Sequence, residues 1–287
     1  MSRIAVTGAT GRLGGRVARL LAAEGAEQRL LVRDPSRAPS LPGAEVVRAT
    51  YEDSAESRQA LAGVDLLFMV SAAESADRLA QHLAFIDAAA AAGVRHVVYT
   101  SFVAAGPQAT FTLARDHGAT EDHLKTTGAS SGMSHTLLRD NFYLDVFRFF
   151  ADKSGTLRGP AGDGRVAAVA IADVARVAAT VLQTPDEFAG QTLELTGPEA
   201  LTLTEVAQTL ARATGKPRQY VDETVEEAYA SRAHYGVEQW QLDAWVSTYT
   251  AIAAGELAHV TDTVQRVTGT PAMSFAELLD RQLAGTY

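Results

Sequence analysis

The chain has 287 residues, a formal net charge of −9 and no cysteine. Its length suits one large α/β domain or a nucleotide-binding core with a smaller lobe, and a hydrophobic share of 47% marks a globular chain, not a disordered one. The acidic balance argues against nucleic acid as the main partner, since phosphate backbones are gripped by clustered cations, and the lack of cysteine removes disulfides, thiolate metal sites and cysteine nucleophiles.

In chain order, RIAVT (3–7) is predicted as a strand, followed by a glycine turn and a helix over 12–24. QRLLVR (28–33) is the second strand and AEVVRA (44–49) the third, across a loop holding Pro35, Pro39 and Pro42. A short helix over 55–61 leads to the strand VDLLFMV (64–70), and a helix over 77–92 stops at Gly93, a residue suited to a left-handed helix end. RHVVYTS (95–101) is the next strand, a helix over 113–127 stops at Gly128, and HTLLRD (135–140) closes the series. Nearly continuous runs of Val, Leu, Ile and Phe are the pattern of parallel strands buried on both faces. The β-α-β rhythm implies right-handed crossovers and a doubly wound α/β sheet.

The second half is less regular. Residues 157–165 read as a turn-rich loop, 170–183 as a helix with Asp173 near its start, and 192–198 as a strand. A helix over 202–216 opens on the capping pair Thr202 and Glu205, and another covers 237–255. The expected organisation is a nucleotide-binding core over 1–150 and a smaller substrate-binding lobe over 151–287 that partly folds back on it. No stretch is long and apolar enough to cross a bilayer and the N-terminus reads as a strand and turn, not a leader. A soluble cytoplasmic protein without a membrane partner is expected, either a monomer or a homodimer.

Gly8, Gly11 and Gly14 follow the first strand and open a helix, the context in which such spacing signals a dinucleotide. Gly8 is expected to allow the tight turn, Gly11 the approach of a pyrophosphate, and Gly14 close helix–sheet packing, with Thr10, Arg12 and Leu13 alongside the cofactor. This is the Rossmann arrangement. An acid at the end of the second strand would hold a ribose hydroxyl; here Val32 is followed by Arg33, whose guanidinium suits a 2′-phosphate. Arg37 adds a second candidate contact, and a register slip by one would bring Asp34 to the ribose instead. NADP(H) is therefore predicted over NAD(H). Strand-end positions complete the expected cofactor site: Val70 and Ser71, Thr100 and Ser101, and Asp53 toward the adenine. Phe102, Phe142 and Tyr143 are candidate substrate contacts, the last two in an aromatic group with Phe111, Phe147, Phe149, Phe150 and Trp240.

None of the eight tyrosines is followed by lysine at the Tyr-x-x-x-Lys spacing that places a proton-shuttling dyad on one helix face. The helix in question carries His117 and Glu121 instead, four apart. Two readings stay open: His117, oriented by Glu121, contacts the nicotinamide ribose or the substrate, or it is a structural histidine. A metal pair lacks further ligands, so no metal is expected. Gly128-Ala129-Ser130-Ser131-Gly132 matches a nucleophile elbow in letters but lies between a helix and a strand, the reverse of the required context; it is read as a flexible loop.

VTGATGRLGG, the Val32-Arg33 strand end, HVVYTS, the His117–Glu121 helix and TLLRDNFY together resemble the atypical short-chain dehydrogenases of the NmrA-like group, in particular bacterial quinone oxidoreductases and triphenylmethane reductases. The resemblance covers nearly the whole chain. It implies hydride transfer from NADPH to a small conjugated electron acceptor, with His117 as the catalytic candidate. The alternative is a non-catalytic NADP(H)-sensing regulator of the same group.

Overall fold

The computed structural model describes residues 3–287. The chain forms two compact units, each assembled from separate stretches. The first runs through Phe102 and adds Asp116–Arg139 and Val174–Leu193; the second comprises Val103–Arg115, Asp140–Asp173 and Glu194–Tyr287.

In chain order the regular elements of the first half are β1 (Ile4–Thr7), α1 (Arg12–Ala23), β2 (Gln28–Val32), β3 (Ala44–Arg48), α2 (Ala55–Leu61), β4 (Leu66–Met69), α3 (Arg78–Ala91), β5 (His96–Phe102), α4 (Thr112–Ser131) and β6 (Ser134–Asp140). There follow β7 (Thr156–Gly159), β8 (Arg165–Val166), α5 (Ile171–Gln183), α6 (Pro185–Phe188), β9 (Thr192–Leu195), β10 (Leu201–Thr202), α7 (Leu203–Thr214), β11 (Gln219–Asp222), α8 (Val225–Arg232), α9 (Gln239–Ala253), α10 (Thr263–Thr268) and α11 (Phe275–Leu283).

The first unit is built on a seven-stranded parallel sheet in the order β3-β2-β1-β4-β5-β6-β9. β1, β2, β4 and β5 are buried at every position, which is why their sequences are unbroken apolar runs rather than alternating ones. β3, at the sheet edge, is half exposed. Phe85, Ile86, Tyr99 and Leu124 from α3, β5 and α4 share one core cluster. Each such side chain contributes about 1.5–3 kcal/mol of burial. The chain steps outward from β1 to β3, then returns to place β4 on the other side of β1. That reversal leaves a crevice at the carboxyl ends of β1 and β4.

In the second unit β7 pairs with β11 in parallel and β8 with β10 antiparallel. The expected capping box is present: Thr202 Oγ1 accepts from Glu205 N–H, and Glu205 accepts from Thr202 N–H. Thr110 donates its N–H and hydroxyl to the Glu256 carboxylate, and Asn141 Nδ2 donates to the Leu257 carbonyl at 3.0 Å.

Four expectations are corrected. The helix predicted to stop at Gly128 continues to Ser131, so GASSG is its final turn and not a flexible loop. A Cβ at Gly128 would lie 2.4 Å from the Met133 carbonyl oxygen; this glycine serves close packing, and Gly132 takes the positive φ at the helix end. The stretch read as a loop over 157–165 contains most of β7 and the start of β8. β11, α8, α10 and α11 went unread. The aromatic residues do not form one group: Phe111 meets Phe142 at 5.4 Å, Phe147 meets Phe275 and Phe150, Phe149 is 58% exposed, and Trp240 donates to Glu238 on the surface. Among the described residues, no helix is long and apolar enough to cross a membrane and no group of acidic or histidine side chains could hold a metal ion.

Candidate functional site

A cleft of about 350 Å³ opens in the first unit at the carboxyl ends of β1, β2, β3 and β4. Its floor is the turn after β1. Gly8 lines it with φ +63, a left-handed conformation that favours glycine. Gly11 is the N-cap of α1, whose start has no side-chain cap and no acid in its first turn. Gly14 is buried in the first turn of the helix, and a Cβ there would lie 2.5 Å from the carbonyl oxygens of both Thr7 and Gly8. Only glycine lets α1 sit so close over the turn and aim its first N–H groups at a ligand phosphate. Thr10 lines the cleft, Arg12 opens the helix exposed, and Leu13 is buried behind the turn.

Arg33 follows β2 directly, is exposed, and lines the cleft. Asp34 is engaged elsewhere: its Oδ1 accepts from the N–H and hydroxyl of Ser36 at 3.0 and 2.7 Å, and these bonds hold its carboxyl below the usual range. The adjacent residue therefore leaves the guanidinium as the charged group presented at this strand end. Asp53 is not among the lining residues; Arg58 donates to both its carboxylate oxygens at 2.6 Å.

The opposite wall is the segment after β4. Val70 and Ser71 line the cleft. The Val70 N–H donates to Thr7 Oγ1 at 2.9 Å and the Ser71 N–H to Thr100 Oγ1 at 2.8 Å. Thr100 thus supports this wall from β5. Ser101 faces the other way, donating to Glu121 at 2.6 Å. Tyr51, which the sequence reading did not single out, also lines the cleft. Its hydroxyl reaches Thr7 Oγ1 at 2.6 Å and the Val70 carbonyl, and its ring stacks on Phe85 at 4.6 Å. It ties the ends of β1 and β4 together beneath the cleft.

His117 is 6% exposed and fully engaged. Arg78 Nη2 lies 2.8 Å from its Nε2, and the Tyr99 hydroxyl 2.9 Å from its Nδ1. Burial first, then the Arg78 charge and His82, hold its pKa well below the ordinary histidine value. The ring is therefore neutral, accepting at Nε2 and donating from Nδ1. Glu121 does not orient it. Although the two share a helix face, the Glu121 carboxylate is bound by Arg139 Nε and Nη2 at 2.8 and 2.7 Å. Phe102 lies 6.2 Å from the His117 ring, nearly parallel to it. In the second unit, the Tyr143 hydroxyl donates to Asp140 Oδ2 at 2.8 Å and Phe142 packs against Phe111.

A parallel sheet reversing at β1, a glycine turn feeding an uncapped helix, and a basic residue after β2 define a dinucleotide-binding protein of the Rossmann class. Residues 1–253 match the NmrA-like family, and the chain belongs to it. It is 34% identical over 280 residues to an NAD(P)H azoreductase of Xenophilus azovorans, with 96% of each chain covered. Its fold superposes on the NADPH-dependent quinone oxidoreductase QOR2 of Escherichia coli, solved with NADPH, with TM-score 0.87 at 32% identity, covering 98% of this chain and 99% of that one. The triphenylmethane reductase of Citrobacter sp., solved with NADP(H), matches with TM-score 0.83 at 30% identity over 98% and 99% of the two chains.

Proposed function

We propose that this chain is an oxidoreductase that uses NADPH to reduce a quinone-like or other conjugated small molecule. The observation that carries the proposal is Arg33, a cation presented at the end of β2 on the cleft that the Gly8 turn floors. The residues suit NADP(H): Gly14 leaves room for the turn to approach a pyrophosphate, the start of α1 offers N–H groups without a side-chain cap, and Arg33 matches a 2′-phosphate. The family relatives named above are reductases, and those solved with a cofactor hold NADPH or NADP(H).

Bound NADPH supplies the hydride. The protein's own part is to hold cofactor and acceptor in register and to exclude water. Gly8, Thr10, Gly11 and Arg12 hold the pyrophosphate side, with Leu13 and Gly14 shaping the turn from behind. Val70 and Ser71, backed by Thr100, form the wall toward the nicotinamide. An electron-poor acceptor takes hydride readily, which suits a chain without a Tyr-x-x-x-Lys pair. Phe102, and in the second unit Phe142 and Tyr143, are the proposed acceptor-selecting side chains, and residues 151–287 the portion in which acceptor preference varies.

Steady-state loss of NADPH absorbance with a panel of benzoquinones, azo dyes and triphenylmethane dyes tests the activity. Turnover with at least one class is expected. Tight NADPH binding with no turnover on any acceptor would point to the sensing role instead. Arg33→Ala is expected to weaken NADPH by about tenfold or more, the scale of charge-assisted hydrogen bonds, and to leave NADH binding unchanged.

A further inference from the structure

The wall of the cleft after β4 is gripped from behind at Ala72, on the two peptide groups that flank its Cα. The Ala72 carbonyl accepts from Arg78 Nε at 3.0 Å, and the Ala72 N–H donates to His82 Nε2 at 2.8 Å. Arg78 and His82 are four apart in α3, so they project from one face, and both are buried, at 4% and 0% exposure. Neither lines the cleft, whereas Ala72 and the residues on either side of it do.

The bonds behind this grip admit one arrangement of protons. His82 Nε2 accepts from a backbone N–H, so its hydrogen is on Nδ1, which lies 3.0 Å from Thr120 Oγ1. Thr120 passes its own hydrogen to the Asp116 carbonyl at 2.7 Å. Arg78 Nη2 can only donate, so His117 accepts at Nε2 and gives its Nδ1 hydrogen to Tyr99. Arg78 Nη1 sits 3.5 Å from the Asp116 carboxylate. His117 therefore fixes the direction of the Arg78 guanidinium, and the guanidinium fixes Ala72.

We infer that Arg78, His82 and His117 are positioning residues for the dinucleotide: they lock the two peptide groups flanking Ala72, and with them the cleft wall over 70–75, in the shape that receives the cofactor. This rests on the reading of the cleft as an NADPH site and assigns His117 a role exerted through Arg78 rather than by contact with reacting atoms. The network is a run of buried hydrogen bonds from α4 through Arg78 and His82 to Ala72, and its part is to hold shape.

The test is the NADPH dissociation constant, measured by fluorescence titration on the full chain, beside hydrogen exchange over 70–75. His82→Leu and His117→Phe are expected to weaken NADPH about tenfold, the loss of one buried hydrogen bond, and to speed exchange at Ala72. His82→Gln and His117→Gln, which keep an acceptor near the Nε2 position, are expected to restore both. The KM for the acceptor is expected to stay within about twofold. Arg78→Lys covers the case in which an apolar variant fails to fold, since a single ammonium cannot reach both Ala72 and His117; it too is expected to weaken NADPH several-fold. Folded variants with the parent's NADPH affinity would overturn the inference and leave the reductase reading standing. A parent chain that binds no NADPH would overturn both.

Discussion

Arg139 clasps Glu121 with two parallel hydrogen bonds, at 2.8 and 2.7 Å, joining β6 to the buried face of α4. Glu121 is 1% exposed and also accepts from Ser101. Deleting the carboxylate removes the acceptor of two hydrogen bonds from the part-buried Arg139 guanidinium and of one from the buried Ser101 hydroxyl. Glu121→Ala is expected to cost about 3–5 kcal/mol, read as a shift of the urea midpoint. Lys125, half exposed and 3.6 Å from the same carboxylate, serves as control: Lys125→Ala should cost less than about 1 kcal/mol.

Four histidines of the first unit, His82, His96, His117 and His135, make stability depend on pH. Burial depresses His82 to about 3 and His96 to about 4, and holds His117 well below its ordinary value. The unfolded chain takes up their protons near pH 6.5 while the folded chain does not. Their contribution is thus whole above about pH 6.5 and is lost as pH falls toward the folded values, at up to about 1.4 kcal/mol per pH unit for each ring. Urea denaturation from pH 7 to pH 4 should show this slope, and His96→Gln should reduce it by about one proton's worth. An unchanged slope in that variant would refute the assignment.

Asp140 pulls the other way. It is 3% exposed, its Oδ1 has no partner, and burial raises its pKa to about 8 despite the Tyr143 hydrogen bond. The folded chain keeps this proton where the unfolded chain has released it, from about pH 4 upward. Stability from this group is present below about pH 4 and is lost as pH rises through about 8. Asp140→Asn removes the titration, so the variant should gain on the parent at up to about 1.4 kcal/mol per pH unit across that window. Equal pH dependence of the two proteins would show that Asp140 is ionised in the fold.

Tyr51→Phe keeps the stack on Phe85 but removes the hydroxyl shared by Thr7 and Val70. Leaving these buried groups short of a partner should cost about 1–3 kcal/mol. Because the hydroxyl ties β1 to β4 under the cleft, NADPH affinity should fall as well. Calorimetry on the folded variant separates the two effects.

The sheet was legible in sequence because strands covered on both faces carry unbroken apolar runs, as IAVT and LLFM do. Arg33 closes the predicted second strand, 28–33; β2 stops one residue earlier, at Val32, and Arg33 lines the cleft. Other features depend on tertiary distance. Arg78 and His82 reveal a shared helix face but not that both hold Ala72. Glu121 pairs with Arg139, 18 residues on, over the nearer His117. Gly128 looks like a helix stop, and only the Met133 carbonyl above it shows otherwise. β7 and β11 are four-residue strands whose partners lie 63 positions apart, a pairing that no local pattern announces. α8 did carry a readable signal: Thr224 and Glu227 form the same capping box as Thr202 and Glu205.

Each unit draws on three lengths of chain, and one strand of the parallel sheet, β9, arrives only after residue 191. No single scission can therefore release either half intact, and a gene fragment ending in the middle would lack a sheet strand. Transplanting the second unit from another family member would take three grafts made together, and swapping one alone should yield a misfolded hybrid.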